Sequence, residues 1–381
     1  MSSIINLVQS LYSTGVEYKQ LKEIASYKDG KPHENILRDS GRYVVAKVRF
    51  ISTNGEFRKY ADIRLSPVEK NDVIMVMSDL PHGQSLAKCF IIEENELYSI
   101  NQRVCALTIK NDRVLPKFLY YSLNRNKQLL AYDSGYNQTH LKKQWILDVK
   151  IPVPPLDIQS EVIRIFDSFS MLQKELLNEL NARKQQYEYY QSKLFSFDGD
   201  VPTKSLLDCC ALEKGQTPIM KADAGEYPLV ITTPVRKTSD RYQFNSPTVC
   251  VPLVSSRGHG VASLNHVFYQ EGKFALGNIL CGITPNDNTV LLAEYLYYYL
   301  SFRKNTLLVP LMKGGANVSL TVNSLKGVVI PIPSYATQKK IVEILKPFDK
   351  FFNAIENEIE ARKRQYDYYR DMLLTFKELG T

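Results

Sequence analysis

The chain contains one long segment twice. Residues 151–197 align with residues 330–376 without a gap, at a constant offset of 179, and 17 of the 47 aligned positions are identical. Each copy opens with an Ile-Pro-x-Pro element, continues with a glutamine and later carries an Ala-Arg-Lys run followed by Gln-Tyr and Tyr-Tyr. Because self-similarity at a fixed spacing reflects duplication of a structural unit, the chain is predicted to fold as two related halves.

The two blocks that precede these copies match each other more faintly. The matches are Leu119–Tyr121 with Leu296–Tyr298, Gly83 with Gly260 and Asn101 with Asn278 at an offset of 177, and Gly30 with Gly215 at an offset of 185. Each half is therefore a variable block followed by a repeated segment. The expected division is a first block at 1–147, a helical segment at 148–200, a second block at 201–326 and a second helical segment at 327–381.

Both copies are predicted to form long helices with an apolar seam. With Phe166 and Phe169 at heptad positions a and d, eight of ten seam positions in the first copy and nine of ten in the second are apolar or aromatic. The seam residues include Phe169, Leu176, Leu180, Arg183, Tyr187, Tyr190 and Leu194 in the first copy, and Phe348, Ile355, Ile359, Arg362, Tyr366, Tyr369 and Leu373 in the second. Pairing the helices would bury both stripes, and the seam arginines are expected to pair with a carboxylate or to fix the register.

The duplication also predicts the sense of the helix pair. A twofold axis that crosses two related helices reverses one relative to the other, so the helices are expected to be antiparallel and the halves pseudo-twofold. The Ile-Pro-x-Pro elements are predicted to be extended, because a residue before proline is displaced from the helical region. Pro347 is expected to start or kink the second helix, since an interior proline removes a hydrogen bond.

The variable blocks are predicted to be mixed α/β from their β-branched runs and amphipathic segments. The predicted strands are Tyr43–Ile51, Val73–Met77, Ala87–Ile92, Val104–Ile109, Val249–Val254 and Val261–Leu264, and the predicted helices are Pro116–Leu130 and Tyr295–Asn305. The fold class is therefore predicted to be α+β, with two similar mixed α/β domains separated by two long antiparallel, coiled-coil-like helices in a pseudo-twofold tandem repeat.

Positive charge is concentrated in the variable blocks. The chain carries a formal net charge of +8, of which residues 1–150 contribute +6 and residues 198–329 contribute +2, whereas the two repeated segments together contribute none. Excess positive charge on these blocks indicates where a polyanion such as nucleic acid could be held. The same charge fits the mild basicity of an ordinary cytoplasmic protein equally well.

Several kinds of site are not predicted. The six cysteines include no Cys-x-x-Cys pair and the five histidines no His-x-x-x-His spacing, so reduced core thiols and no metal site are expected. No phosphate-binding loop, dinucleotide-binding glycine pattern or serine nucleophile elbow is present, and no catalytic residue is predicted. Neither a signal peptide nor an apolar run of about 20 residues is evident, so a cytoplasmic location is expected.

This arrangement resembles the specificity subunits of type I restriction-modification systems. In that family, a variable target-recognition domain and a conserved helical region are each present twice, in alternation. The Ile-Pro-x-Pro element followed by a glutamine and an isoleucine, at 151–165 and 330–344, is the family's most distinctive local signature. The resemblance covers nearly the whole chain and makes 1–147 and 201–326 the recognition domains.

The resemblance implies a DNA-binding subunit without catalytic activity. Each recognition domain would read one half of a bipartite double-stranded DNA target, and the helices would space the domains and dock two adenine-methyltransferase modification subunits. S-adenosylmethionine would bind those subunits, while this chain would hold no cofactor. A separate restriction subunit, a translocase and nuclease, would cleave the DNA, and no membrane would be involved.

Candidate DNA contacts lie in polar loops that contain glycine. Base edges are read chiefly by Arg, Lys, Asn and Gln, while other basic and small polar groups hold phosphates. The loops at 78–85 and 135–143 supply His82, Gln84, Asn137, Gln138, Thr139, His140, Lys142 and Lys143, and the loops at 255–260 and 313–319 supply Arg257, His259, Lys313 and Asn317. For any single residue an ordinary surface turn is the stronger interpretation, whereas the set as a whole favours DNA contact.

Two other functions are compatible with the sequence. A recognition module of a fused restriction-methylation enzyme would need a methyltransferase or nuclease motif, and none is recognisable. A coiled-coil scaffold with protein-binding globular ends would show no salt-sensitive DNA binding. Neither explains two divergent domains on a duplicated frame as economically. The seam tyrosines could stack on single-stranded bases, but their heptad positions favour helix packing.

Overall fold

The computed structural model describes residues 15–81, 83–197, 199, 201–220 and 222–380. The chain packs into two compact units: unit 1 comprises Met1–Leu176 with Glu358–Thr381, and unit 2 comprises Leu177–Asn357. The first 14 residues, in which no signal peptide is expected, lie outside the described part.

Unit 1 combines short strands and short helices with parts of two long helices. Its strands are β1 (Tyr18–Gln20), β2 (Ala25–Asp29), β3 (Tyr43–Ala46), β4 (Tyr60–Ala61), β5 (Pro67–Val68), β6 (Val73–Val76), β7 (Ser78–Asp79), β8 (Cys89–Ile91), β9 (Tyr98–Ile100), β10 (Val104–Ile109), β11 (Thr139–His140) and β12 (Lys150–Pro152). Its helices are α1 (Leu21–Ile24), α2 (Val48–Ser52), α3 (Pro116–Leu123), α4 (Lys127–Leu130) and α5 (Lys143–Leu147), with a 3-10 turn at Glu34–Ile36. The long helix α6 (Leu156–Leu194) begins in unit 1 and ends in unit 2.

Two four-stranded sheets form the body of unit 1. The central sheet is antiparallel in the order β2-β10-β6-β8, and the second has the order β4-β3-β9-β5 with a parallel β3–β9 pair. Because successive side chains of a strand leave opposite faces, β6 contributes to two cores. Met75 enters one core with α3 and the start of α6, whereas Ile74 and Val76 enter the other with the second sheet.

Unit 2 repeats this plan. Its strands are β13 (Thr203–Ser205), β14 (Cys210–Lys214), β15 (Tyr227–Val230), β16 (Lys237–Ser239), β17 (Thr248–Pro252), β18 (Phe268–Gln270), β19 (Ala275–Leu276), β20 (Leu280–Pro285) and β21 (Val329–Pro331). Its helices are α7 (Leu206–Cys209), α8 (Ala293–Leu307), α9 (Val322–Lys326) and the start of α10 (Tyr335–Leu373), with a 3-10 turn at Val309–Leu311. The central sheet has the order β14-β20-β17-β18, and a parallel β15–β19 pair again belongs to a second sheet.

A pair of glycines marks the same crossing of chain segments in both units. A Cβ atom on Gly30 would lie 2.0 Å from the carbonyl oxygen of Asn101, and one on Gly215 would lie 2.1 Å from that of Gly277. Any side chain would collide with backbone there, which explains why both positions are glycine. The match of Gly30 with Gly215 is therefore confirmed. The residue of unit 2 that is structurally equivalent to Asn101 is Gly277. The sequence alignment had matched Asn101 with the next residue, Asn278.

The long helices pair within each unit. In unit 1 the start of α6 lies against the end of α10, where the rings of Phe166 and Tyr366 are 5.4 Å apart. In unit 2 the end of α6 lies against the start of α10, where the rings of Tyr187 and Phe348 are 5.4 Å apart. In both units the start of one long helix packs against the end of the other. The helices are therefore antiparallel, as the duplication predicts. The two tyrosines pack against the partner helix.

The seam arginines have carboxylate partners in their own helices. The Nε of Arg183 donates to Glu179 at 2.8 Å, and that of Arg362 donates to Glu358 at 2.7 Å. Each pair spans four residues, a spacing that places two side chains on one face of a helix. The guanidinium of Arg183 also lies 5.2 Å from the ring centre of Phe351.

Some predicted strands are wrong in extent. The segment Tyr43–Ile51 is a strand only to Ala46, after which the chain forms α2. Val261–Leu264 forms no strand. In contrast, Val104–Ile109 is a strand over its whole predicted length, and each Ile-Pro-x-Pro element begins with a short strand, β12 or β21.

One predicted helix also differs, and one of the two expectations for Pro347 is excluded. Pro116–Leu130 is interrupted between α3 and α4, where Arg125 adopts a φ of 57° and donates through its guanidinium to the carbonyl of Leu86 at 3.0 Å. Positive φ is incompatible with a continuous right-handed helix. Pro347 lies inside α10, so it does not start that helix.

A buried glutamine attaches each domain to its long helix. In unit 1 the amide nitrogen of Gln159 donates to the carbonyls of Arg113 and Pro154 at 2.9 and 2.8 Å, and its oxygen accepts from the backbone of Leu115 at 2.8 Å. Leu115 is the residue that caps α3. In unit 2, Gln338 makes the corresponding three bonds, and both glutamines are fully buried. The glutamine of the repeated signature therefore joins helix, exit strand and domain.

An ion pair with opposite polarity lies beside each glutamine. Lys117, the second residue of α3, bonds Asp167 at 2.7 Å, and Glu294, the second residue of α8, bonds Lys346 at 2.5 Å. Asp167 and Lys346 occupy the same position in α6 and α10, eleven residues after each helix begins. Docking of α3 on α10 would place Lys117 against Lys346. The charges therefore favour docking of each domain on its own long helix over docking on the other long helix.

We expect Lys117→Glu to lower the free energy of unfolding by about 1 kcal/mol, because a partly exposed ion pair is replaced by two carboxylates. Asp167→Lys alone also removes the acceptor of the Tyr121 hydroxyl, which lies 2.6 Å away. The double variant Lys117→Glu with Asp167→Lys should therefore be more stable than the sum of the two single effects, since it copies the polarity of unit 2. Urea denaturation measures both effects, and Lys174→Glu on the exposed surface of α6 serves as the control. Additive effects of the two substitutions would contradict the charge argument.

Candidate nucleic-acid interface

The predicted loops of unit 1 meet beside Met77, at one end of the central sheet. Pairing of β7 with β11 brings the loops at 78–85 and 135–143 together. The backbone nitrogen of Leu141 donates to the carbonyl of Met77 at 2.8 Å, and that of Met77 donates to the carbonyl of Arg103 at 2.9 Å. Three segments that are distant in sequence therefore form one surface, here called loop cluster 1.

Most predicted side chains of loop cluster 1 are exposed. The exposed candidates are Gln84, Asn137, Gln138, His140, Lys142 and Lys143. Gln138 donates to the hydroxyl of Ser78 at 3.1 Å and so links the two loops. The ammonium groups of Lys142 and Lys143 lie 5.0 and 5.1 Å from the ring centres of Trp145 and Tyr27. These ring contacts restrict flexible side chains before any ligand binds, which reduces the entropic cost of binding.

Two candidates of this surface stand apart from the others. Thr139 is buried, and its hydroxyl donates to the carboxylate of Asp133 at 3.1 Å. This hydroxyl supports the loop and is not presented at the surface. His82 lies outside the described residues.

The predicted loops of unit 2 also meet. The backbone nitrogen of Ser255 donates to Val318 at 3.0 Å, and that of Gly260 donates to Ala316 at 3.1 Å. This surface, loop cluster 2, exposes Arg257, His259, Lys313 and Asn317. Gly260 has a φ of 76°, a conformation that glycine adopts without strain.

A group of basic residues next to loop cluster 1 was not predicted. An open cavity of about 630 Å³ is lined by the basic residues Lys47, Arg49, Lys59 and Arg103, together with Glu34, Phe57, Asn101 and Gln102. The basic spacing within residues 47–59 is a signal that a local charge count would have found. Arg103 is remote in sequence, and only the sheet brings it there.

Two carboxylates beside this cavity are held ionised. Burial raises the pKa of Glu34, but the hydrogen bond from Asn101 and the charge of Lys47 outweigh burial and leave it below the ordinary value. The hydrogen bond from Lys59 lowers the pKa of Asp39. Each carboxylate therefore compensates one lysine. Arg49 and Arg103 form no ion pair with a described residue, and Arg49 lies 4.0 Å from the ring centre of Phe57.

Two expectations from sequence concern the potential metal ligands and the cysteines in the described ranges. No group of three or more His, Cys, Asp and Glu among these residues could hold a metal ion. The six cysteines are buried free thiols.

Within the part of the chain that the structure describes, no helix is both long and apolar enough to span a bilayer.

Sequence comparison places the chain among known proteins. The type I restriction modification DNA specificity domain matches residues 14–182 and again residues 199–362. The chain is 31% identical over 304 residues to the EcoR124I/EcoR124II specificity subunit of Escherichia coli, which covers 71% of this chain and 73% of that protein. It is 27% identical over 410 residues to a putative type I restriction enzyme specificity subunit of Haemophilus influenzae. That alignment covers 97% of this chain and 98% of the Haemophilus protein.

Solved structures show the same fold. The S subunit of a type I restriction-modification system from M. genitalium superposes with a TM-score of 0.67 at 14% identity, covering 95% of this chain and 96% of that one. A chain from a structure of type I R-M complex assembly superposes with a TM-score of 0.53 at 16% identity. The superposition covers 94% of this chain and 96% of that one. Because the specificity domain matches twice and spans most of the sequence, the chain belongs to the family of type I restriction-modification specificity subunits.

Proposed function

We propose that this chain reads DNA sequence without modifying or cutting DNA, and that each recognition domain contacts one half of a bipartite duplex target. The observation that supports this most directly is the meeting of two polar, glycine-containing loops at one end of the central sheet in both units. Exposed amide, imidazole and basic groups on such a surface suit base edges and phosphates together.

The long helices are proposed to set the spacing between half-sites and to dock two adenine-methyltransferase subunits. Each helix contains 39 residues, or about 58 Å at 1.5 Å per residue. Their surfaces retain exposed apolar side chains, among them Met171, Leu177, Tyr189 and Tyr368, which suit a protein partner. S-adenosylmethionine is proposed to bind the methyltransferase subunits, and a separate restriction subunit to cleave.

The experiment that tests this function is methylation mapping with the assembled complex. The full chain, its methyltransferase subunits and S-adenosylmethionine are incubated with genomic DNA, and methylated adenines are located by single-molecule sequencing. We expect one interrupted target, and no methylation when either component is omitted. Methylation without sequence preference, or by the chain alone, would sink the proposal.

The two half-sites are expected to differ. Loop cluster 1 presents Gly135-Tyr136-Asn137-Gln138, whereas loop cluster 2 presents Gly314-Gly315-Ala316-Asn317 at the corresponding place. Different donors and acceptors select different bases. A palindromic target in the same mapping experiment would refute this expectation.

We expect Arg257→Ala and Lys143→Ala each to weaken target binding by about 1 to 3 kcal/mol or to relax specificity in one half-site, which is the effect expected of one good base contact. Both side chains are exposed, so the thermal unfolding midpoint should not change. Lys70→Ala is the matched control, because Lys70 precedes β6 and lies at the opposite end of that strand from Met77. Unchanged binding and an unchanged methylation pattern would remove both residues from the interface.

A further inference from the structure

We propose that the first recognition domain holds a DNA backbone phosphate in the basic cavity lined by Lys47, Arg49, Lys59 and Arg103, and that the second domain has no equivalent anchor. The inference rests on the proposed DNA-reading function and adds which domain supplies the larger salt-dependent part of binding.

The charges of the cavity favour an oxyanion. Lys47 and Lys59 each have a carboxylate neighbour, Glu34 at 3.9 Å and Asp39 at bonding distance, whereas the guanidinium groups of Arg49 and Arg103 have none among the described residues. Two positive charges therefore remain uncompensated in an open cavity. An uncompensated guanidinium binds phosphate oxygens strongly because it offers several donors in a fixed plane.

The free donors of the cavity suit a group that only accepts hydrogen bonds. Lys and Arg side chains only donate, and phosphodiester oxygens only accept. Guanine likewise presents only acceptors in the major groove, whereas adenine and cytosine each present a donor. The lining carboxylate that could accept from a base, Glu34, already accepts from Asn101 at 3.1 Å and faces Lys47. A phosphate satisfies the exposed donors without leaving an acceptor unmatched.

The cavity is connected to loop cluster 1 through the backbone. Arg103 lines the cavity, and its carbonyl accepts from Met77. The carbonyl of Met77 accepts in turn from Leu141, in the loop that carries His140 and Lys142. Anchor and reading loops are thus joined by two backbone hydrogen bonds. Contacts to phosphates position a protein on a duplex while neighbouring contacts read the bases.

Unit 2 lacks the equivalents of Lys47 and Arg103, whereas Lys59, opposite Val45, corresponds to Lys237, opposite Leu229. In unit 1 the parallel pair of β3 and β9 ends with Ala46 opposite Ile100, and in unit 2 the pair of β15 and β19 ends with Val230 opposite Leu276. The residue after Ala46 is Lys47, whereas the residue after Val230 is Ile231.

The position of Arg103 differs in the same way. Three residues after Ile100 comes Arg103, and three residues after Leu276 comes Ile279. Their carbonyls accept corresponding bonds, from Met77 at 2.9 Å and from Leu253 at 2.8 Å. One cavity of unit 2 has Asp223, Asp240 and Arg241 as its charged lining, and another has Arg236, Lys346 and Lys350 with Glu271, Glu294 and Asp349. Neither carries an excess of cations.

The test is the salt dependence of DNA binding by the full chain in its methyltransferase complex. The variant is Arg49→Gln with Arg103→Gln, two exposed positions whose exchange leaves the core intact. The control is Arg241→Gln with Lys273→Gln, which removes the same charge from unit 2. Fluorescence anisotropy measures Kd for the mapped target from about 50 to 250 mM KCl, the range in which counterion release changes affinity steeply.

Removing the protein's bond to one phosphate should reduce the slope of log Kd against log salt by about 0.9, and should weaken binding about eightfold near 0.1 M salt. We expect the variant to bind one or two fewer phosphates and to keep the wild-type methylation target, while the control keeps the wild-type slope. An unchanged slope in the variant, or an equal change in the control, would overturn the anchor. A changed target sequence would overturn it too, because the arginines would then read bases.

A free phosphate ion presents the same oxygens, so its binding to the wild type and the variant is measured by calorimetry. Phosphate binding that depends on Arg49 and Arg103, together with an unchanged DNA slope, would assign the cavity to the free ion and overturn the proposal. Failure of the wild-type complex to bind any duplex would instead count against the proposed function itself.

Discussion

Replacing Gln159 with alanine is expected to lower the free energy of unfolding of unit 1 by about 3 to 5 kcal/mol, since three buried backbone groups lose their partner at once and each costs about 1 to 3 kcal/mol. These groups are the carbonyls of Arg113 and Pro154 and the amide of Leu115. Water entering the site would offset part of the cost. The remaining loss is a large share of the 5 to 15 kcal/mol, roughly, that stabilises a domain.

The loss of stability in Gln159→Ala should also be detectable locally, in the exchange of backbone amides near the substitution. Gln159 bonds the residue that caps α3 and the exit strand before α6, so the variant should release α3 from the long helix. Hydrogen exchange of residues 115–123 is expected to accelerate, while the corresponding helix of unit 2 keeps its wild-type rate. The variant Gln338→Ala should show the reverse pattern, because Gln338 makes the same three bonds in unit 2.

Charge and shape can be separated at this site. Gln159→Glu keeps the size of the side chain but replaces the donating amide nitrogen with an oxygen that faces two carbonyls. At neutral pH it should destabilise at least as much as Gln159→Ala. The control is Gln185→Ala on the exposed surface of α6, expected to change stability by about 0.5 kcal/mol or less. A change below about 1 kcal/mol for Gln159→Ala, measured by urea denaturation, would show that the three bonds do not join the domain to the helix.

Removing one heptad from both long helices is expected to change the spacer of the DNA target. Deletion of residues 175–181 together with 354–360 keeps the heptad pattern of each helix, so facing seam residues still meet. The deletion shortens each helix by about 10 Å, close to 3 base pairs at roughly 3.4 Å each. Methylation mapping should then show loss of the original target and preference for a shorter spacer between unchanged half-sites.

Single deletions serve as the control for this experiment. Removing the heptad from α6 alone shifts its seam against that of α10 and should destabilise the chain, because large side chains no longer fit the holes of the partner helix. If the helices serve only to dock the methyltransferase, the double deletion would lose methyltransferase binding but keep its original half-site spacing in direct DNA-binding assays. That result would sink the role of the helices as a ruler.

The duplication determined much of this protein from sequence alone. A gapless repeat requires two equivalent folds, and its heptad pattern requires two helices of equal length whose apolar stripes must be buried together. The antiparallel sense followed from a twofold axis that crosses the helix pair, because such an axis reverses one helix relative to the other. The candidate loops were found because exposed glycine and polar clusters depend on local chemistry.

The tertiary structure decided what depends on neighbours distant in sequence. Arg103 joined Lys47 and Arg49 only because β9 lies beside β3, a strand order that no local pattern contains. The break between α3 and α4 depended on a bond from Arg125 to Leu86, which overrode an apparently continuous helical pattern. Gln159 was visible as a repeated residue, but its role followed from three backbone groups that the fold brings together and buries. Sequence pattern records which face of an element is apolar, whereas pairing and burial decide which polar groups meet.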